Sequence, residues 1–261
     1  GSAAPHLVTA GGGITAWEPV LYVVSGLAAI GGLVAWRFGQ VGPYAAPSPR
    51  FEWRYLRNAL KVPALRLANF GYFGHMWELY AMWTWVPLFL AQSYGRTAGT
   101  AATADRLAAL AAFAVIAAGG IGSVLAGQLA DRWGRTRTTM LSMVISGSCA
   151  LAIGWLVDVH PVLVTAVALV WGFSVVADSA QFSSSISELS DPQYMGTQLT
   201  AQTSMGFLLT LVSIQLVPVV RDWGGWRWAF GMLAIGPALG TWAMWLLRRS
   251  PEAAKLAGGR G

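Results

Sequence analysis

Two carboxylates of this sequence stand inside long apolar stretches, Glu78 in one near 65–92 and Asp178 in another near 161–186. A charge there costs about 2.5–3.5 kcal/mol on membrane-insertion scales, so such an acid marks a function by default. His75 lies one helical turn before Glu78, which puts both on one face. Tyr80, Trp83 and Thr84 extend that wall. Around Asp178, the residues Ser174, Gln181 and Ser185 recur at helical spacing, and Gln198 and Gln202 follow one turn apart, with Ser204 and Thr210 nearby. A carboxylate withdrawn from water holds its proton more tightly, which suits cycling with pH. The chemistry this predicts is proton relay by Glu78 with His75, while Asp178 neutralises a substrate cation or a coupled ion. Other uses of the same residues stay open: an ion pair or hydrogen bond between helices for the acids, a neutral imidazole bonded to a carbonyl or to Glu78 for His75, and packing contacts for the glutamines.

Other chemistries find no support. Cys149 is the lone cysteine, so the chain can form no internal disulfide or Cys-based metal site. His6, His75 and His160 are scattered, and neither an H-E-x-x-H helix nor a Gly-x-Ser-x-Gly elbow occurs. His75 and Glu78 have no evident third metal ligand. A retinal Schiff base needs a lysine within a helix, yet Lys61 and Lys255 both fall outside the apolar stretches. The expectation is no enzyme, no cofactor and no metal.

The elements that must position these residues follow from composition. The 261 residues are 55% hydrophobic and 11% charged, with mean hydropathy +0.53. Soluble domains carry about 25% charged residues, so the natural solvent here is lipid. The net charge of +6 does not indicate a nucleic-acid partner, which would require Lys and Arg clustered on a solvated face. The basic residues instead sit in short runs between apolar segments. Seven segments, near 16–38, 65–92, 107–130, 138–157, 161–186, 196–219 and 227–247, have the roughly 20 residues that cross a ~30 Å hydrocarbon core. If the loop after the first is cytoplasmic, that side receives 13 of the 17 basic residues and the other only Arg96, Arg106, Arg221 and Arg227. The positive-inside rule then puts the N-terminus outside and the C-terminus in the cytoplasm.

Four regions result: 1–38 with one crossing helix, 39–64 as a cytoplasmic loop, 65–249 as a six-helix bundle, and 250–261 as a cytoplasmic tail. In the loop, Pro47-Ser48-Pro49 breaks helices and Ser48 suits an N-cap. Phe51, Tyr55, Leu56, Ala59 and Leu60 then recur at helical spacing, as in a short amphipathic helix on the inner membrane surface. Trp17, Trp36, Trp223, Trp226, Trp228 and Trp245 fall near span ends as interfacial anchors, whereas Trp77, Trp83 and Trp171 lie deeper, within reach of a substrate. At one fixed offset Trp17, Gly31 and Trp36 match Trp226, Gly240 and Trp245, a weak repeat of the first span in the seventh.

Between the third and fourth spans the chain reads Gly127-Gln-Leu-Ala-Asp131-Arg132-Trp-Gly134-Arg135-Thr-Arg137. Gly127 is expected to let two helices approach closely, Gly134 to permit a tight turn, and Asp131 to meet a helix N-terminus or an arginine. The stretch resembles the G-x-L-A-D-R-x-G-R-[RK] loop signature of the major facilitator superfamily, in which it joins the second and third helices of a half and takes part in gating with Arg132 and Arg135. The resemblance implies an all-α integral membrane protein, the C-terminal six-helix half of a major-facilitator-type bundle plus one preceding helix. Counted from the motif, the seven spans are helices six to twelve of twelve, and residues 1–7 are the end of helix five. Glu78 then falls on helix seven and Asp178 on helix ten, both lining the central cavity of that family. The resemblance further implies secondary transport of a small solute across the cytoplasmic (inner) membrane, by symport or antiport with a proton or other coupling ion. The partners expected are the substrate, the bilayer, and either an absent N-terminal half or a second copy. A truncated chain without transport activity is the competing reading.

Overall fold

The structure, a computed structural model, describes residues 17–40 and 53–261. Residues 1–7 and the Pro47-Ser48-Pro49 turn, on which two expectations rest, lie outside the described residues. Everything regular among the described residues is helical. Helix α1 is Trp17–Phe38 and α2 is Trp53–Lys61. The long helices α3, Pro63–Gly95, and α4, Ala101–Trp133, follow, then α5, Arg135–Ile153. The next crossing is split into α6, Pro161–Ala177, and α7, Ser179–Leu189. Helix α8 is Met195–Gly224, and the last crossing runs through α9, Trp226–Gly231, and α10, Ile235–Arg248. A tail of 3-10 turns, Pro251–Gly258, ends the chain's regular structure.

Local sequence sets these limits. Pro63 opens α3 where its missing N–H costs nothing. Thr100 caps α4, its hydroxyl accepting the Thr103 N–H at 3.2 Å. His160 caps α6 through Nδ1 and is followed by Pro161. Gly134 and Gly225 take φ of +95° and +78°, so α4 and α8 stop there and the chain reverses.

Among the described residues, six helices are long and apolar enough to span a membrane. The seventh long helix, α3, has 33 residues, about 50 Å at the helical rise. It is less apolar than the other six because it carries Tyr72, His75, Trp77, Glu78, Tyr80, Trp83 and Trp85. It nevertheless sits centrally, packed on α4, α6, α7, α8 and α10, and therefore crosses with them.

Two apolar clusters hold the bundle. One gathers Phe89, Trp171, Trp226 and Phe230, whose rings meet at 4.9–5.4 Å, mostly edge to face. The other gathers Tyr72, Met143, Phe182, Met244, Leu247 and the tail residue Leu256. Helix α1 is different: Leu21, Leu27, Ile30, Leu33, Val34 and Trp36 are all exposed.

Glycines let α3 and α10 close on each other. A Cβ at Gly74 would lie 2.3 Å from the Gly236 carbonyl oxygen, and one at Gly236 2.4 Å from that of Gly74. Gly74→Ala must therefore push two backbones apart, costing about 1–3 kcal/mol. The expected drop in melting temperature is roughly 2–10 °C. Gly120→Ala, where a Cβ meets nothing within 4 Å, is expected to leave the melt unchanged.

Candidate functional site

His75 and Glu78 of α3, Ser146 of α5 and Asp178 of the α6–α7 crossing, all buried, fall where the two apolar clusters meet. The result is one polar layer through the bundle. Glu78 is 1% exposed and fixed from two sides. Ser146 Oγ of α5 donates to its Oε2 at 2.8 Å, and Trp171 Nε1 of α6 donates to its Oε1 at 2.8 Å. One carboxylate thus ties three helices.

His75 turns to a different partner. Its Nδ1 lies 2.9 Å from Asp178 Oδ1, and its Nε2 meets Ser179 Oγ at 3.0 Å. The sequence places His75 beside Glu78, one turn apart, but the folded ring bonds to neither oxygen of that acid. It joins Asp178 and Ser179 instead, and packs against Phe182 and Tyr72 with ring centroids at 5.5 and 6.0 Å. Asp178 is 1% exposed, and its Oδ1, though close to His75, has no aligned hydrogen bond among the described residues. It is the single residue between α6 and α7 and keeps a right-handed helical backbone, φ −88° and ψ −12°, within one crossing that runs from Pro161 to Leu189.

The other predicted residues divide. Tyr80 packs edge-on against Trp83 at 5.4 Å and meets Phe207 of α8 at 5.2 Å. Trp83 Nε1 is buried without a hydrogen-bond partner among the described residues, as are both amide atoms of Gln202. Gln202 thereby offers a donor and an acceptor in a site that is 1% exposed. Gln181 does not face Glu78: its Oε1 accepts from Arg135 Nη1 at 2.9 Å. The hydroxyls of Ser174, Ser185 and Thr210 bond carbonyls of their own helices, a structural use.

Sequence reasoning missed two partners. Ser146 gives no signal beyond being a serine in an apolar helix, and Ser179 is hidden among the serines of α7. Trp171 was legible as a deep tryptophan, though not as the donor to Glu78.

The loop motif forms a second polar cluster at one end of the bundle. Arg135 donates from Nη2 to Glu188 Oε1 at 2.9 Å, and its Nη1 stands 3.4 Å from Asp131 Oδ1. The Asp131 side chain is 72% exposed, so that pair contributes little. Glu188 Oε2 also accepts the Ala257 N–H of the tail at 2.9 Å, and Arg260 donates to the Asp131 carbonyl. Arg132 is exposed. Among the described residues the close helix approach expected at Gly127 is not found: a Cβ there would meet nothing within 4 Å. The close approaches lie elsewhere, as at Gly172, whose Cβ would sit 2.1 Å from the Val115 carbonyl oxygen.

Gly134 behaves as the motif predicts. At φ +95° a side chain is strained, and a Cβ would also lie 1.8 Å from the Arg260 carbonyl oxygen. Gly134→Ala is therefore expected to release the tail, since strain of about 1–3 kcal/mol falls on the seat it occupies. Trypsin cleavage after Lys255 should quicken about tenfold, whereas Gly127→Ala leaves the rate unchanged.

A family model described as Major Facilitator Superfamily matches residues 1–214. The chain belongs to that superfamily. It is accordingly a multi-pass membrane transporter, acting on a small-molecule substrate in a lipid bilayer. Superfamily members are transporters rather than enzymes. No curated protein matches the chain significantly. Within a superfamily transporter the two clusters acquire a relation: Gln181 lies one helical turn from Asp178 and bonds Arg135, so the short helix α7 links the interior acid at its N-terminal end to the loop motif.

Proposed function

We propose that this chain carries out secondary active transport of a small solute across the cytoplasmic membrane, driven by a proton that His75 and Asp178 exchange. The observation that carries this reading is the 2.9 Å contact of two groups, each 2% exposed at its side chain, where α6 meets α7. Imidazole is the side chain whose charge changes near physiological pH, and a carboxylate beside it can share one proton. Glu78, held by Ser146 and Trp171, keeps the surrounding helices in register and stands ready as a second proton site. Gln202, Trp83 and Tyr80 supply hydrogen-bonding and aromatic surface for the solute. The distribution of basic residues supports a cytoplasmic C-terminus.

Alternating access requires one bundle to rock against another around a midplane site. The described residues supply one bundle and α1, whose apolar surface is exposed. The second bundle is an N-terminal half or a second copy. Reconstitution of the full chain in liposomes, with and without a co-expressed N-terminal half, tests both parts. Solute entry driven by an inward proton gradient is the expected result. Entry that ignores the gradient but follows membrane potential would overturn proton coupling.

A further inference from the structure

A groove of about 570 Å³ runs along the outside of the bundle between α3 and α10. Its wall is almost wholly apolar, with Phe70, Trp77, Leu239, Trp242 and Leu246 among the lining residues, and Arg66 stands at one end. The size lies within the ~300–1,000 Å³ typical of small-ligand sites. Phe70, Leu239 and Trp242 are 46%, 57% and 59% exposed, so the groove opens outward, where a membrane protein meets lipid.

Its length identifies the occupant. From Arg66 to Trp77 on α3, and from Leu246 to Ile235 on the antiparallel α10, the walls advance eleven residues. At the helical rise that is about 16 Å, or half of a ~30 Å hydrocarbon core. The groove therefore reaches from one interface to the bilayer midplane and stops. At the midplane end it is closed by Trp77, whose Nε1 donates to the Met232 carbonyl, and by the Gly74–Gly236 approach. One leaflet's acyl chain has this extent; a membrane-crossing helix does not.

The charge at the interfacial end selects the headgroup. Arg66 makes no side-chain hydrogen bond or ion pair with any described residue. Arg248 and Arg249 close α10 within a turn of Leu246, and Arg249 lies over the Trp245 ring at 3.7 Å. An unpaired guanidinium beside an acyl-sized slot presents two parallel donors that suit a phosphodiester, and with Arg248 and Arg249 at the same end it favours a net-negative headgroup over one that, like phosphatidylcholine, carries its own cation.

We infer that the α3–α10 groove is a binding site for one anionic phospholipid, its acyl chain along Phe70, Leu239 and Trp242 and its phosphate on Arg66. The bound lipid bridges the helix that carries His75 and Glu78 to the last crossing of the bundle.

Native mass spectrometry of the purified full chain, titrated with phosphatidylglycerol or with phosphatidylcholine of the same acyl chains, tests this. Phosphatidylglycerol is expected to bind about tenfold more tightly, the worth of one good charge-assisted contact. Arg66→Gln, an exposed change, should erase that preference, and Arg66→Lys should keep part of it. Leu239→Trp, which fills the slot, should weaken both lipids severalfold. Equal binding of the two lipids by the unaltered chain, or a preference that survives Arg66→Gln, would overturn the inference. So would displacement of bound lipid by millimolar inorganic phosphate, which would mark a bare anion site.

Discussion

Glu78→Ala is expected to lower the melting temperature of the bundle by roughly 5–10 °C, while Glu78→Gln leaves it within about 2 °C. Truncation strands one buried donor, Trp171 Nε1, and leaves Ser146 Oγ with only the Met143 carbonyl, both donors now lying 2.8 Å from a carboxylate oxygen. It also leaves a hole where three helices meet. An unsatisfied buried donor costs about 1–3 kcal/mol, although hydrogen bonds between membrane helices average nearer 0.6 kcal/mol in measured cycles. A total of about 2–4 kcal/mol follows once the cavity is included. The amide of glutamine keeps the acceptor for the indole. Ser146 can then turn to the Met143 carbonyl, which it already reaches at 3.2 Å. Thermal melts of the three proteins in one detergent decide the matter: equal losses for Ala and Gln would mean that charge, rather than hydrogen bonding, holds Glu78 in place.

The second large effect is on transport. Asp178→Asn is expected to reduce proton-driven solute flux about a hundredfold, with the melting temperature little changed. The asparagine side chain fits the same space between α6 and α7 but carries neither charge nor exchangeable acid. Loss of the acid removes the group that takes up and passes on the proton, and positioned proton-transfer groups contribute about 10²–10⁴-fold. Ser179→Ala, which touches only Nε2 of His75, should lower flux far less. Flux in reconstituted liposomes, normalised to protein incorporated, reads all three. An Asp178→Asn protein that still concentrates solute against a gradient removes Asp178 from the coupling step.

Much of this architecture was legible from residue order alone. The apolar segments near 161–186 and 227–247 coincide with crossings at Pro161–Leu189 and Trp226–Arg248, because lipid demands an unbroken apolar length. Pro and Gly supply the punctuation. The segment holding Glu78 was identified by length despite its low hydropathy, and the residues that lower it are those that build the polar layer. What could not be read was pairing. Helical spacing puts His75 and Glu78 on one face, but which partner each takes depends on how α5, α6 and α7 approach that face. Gly127 was misjudged for a similar reason: a small residue permits a close approach without specifying that another helix comes near.

The Trp171 indole, 0% exposed and bonded to a buried carboxylate, gives the molecule a native optical probe. Indole emission responds to the charge on its hydrogen-bond acceptor. The difference between the unaltered protein and a Trp171→Phe protein therefore isolates one chromophore among fourteen tryptophans. Its signal would report on the surroundings of Glu78 in real time, without any label attached.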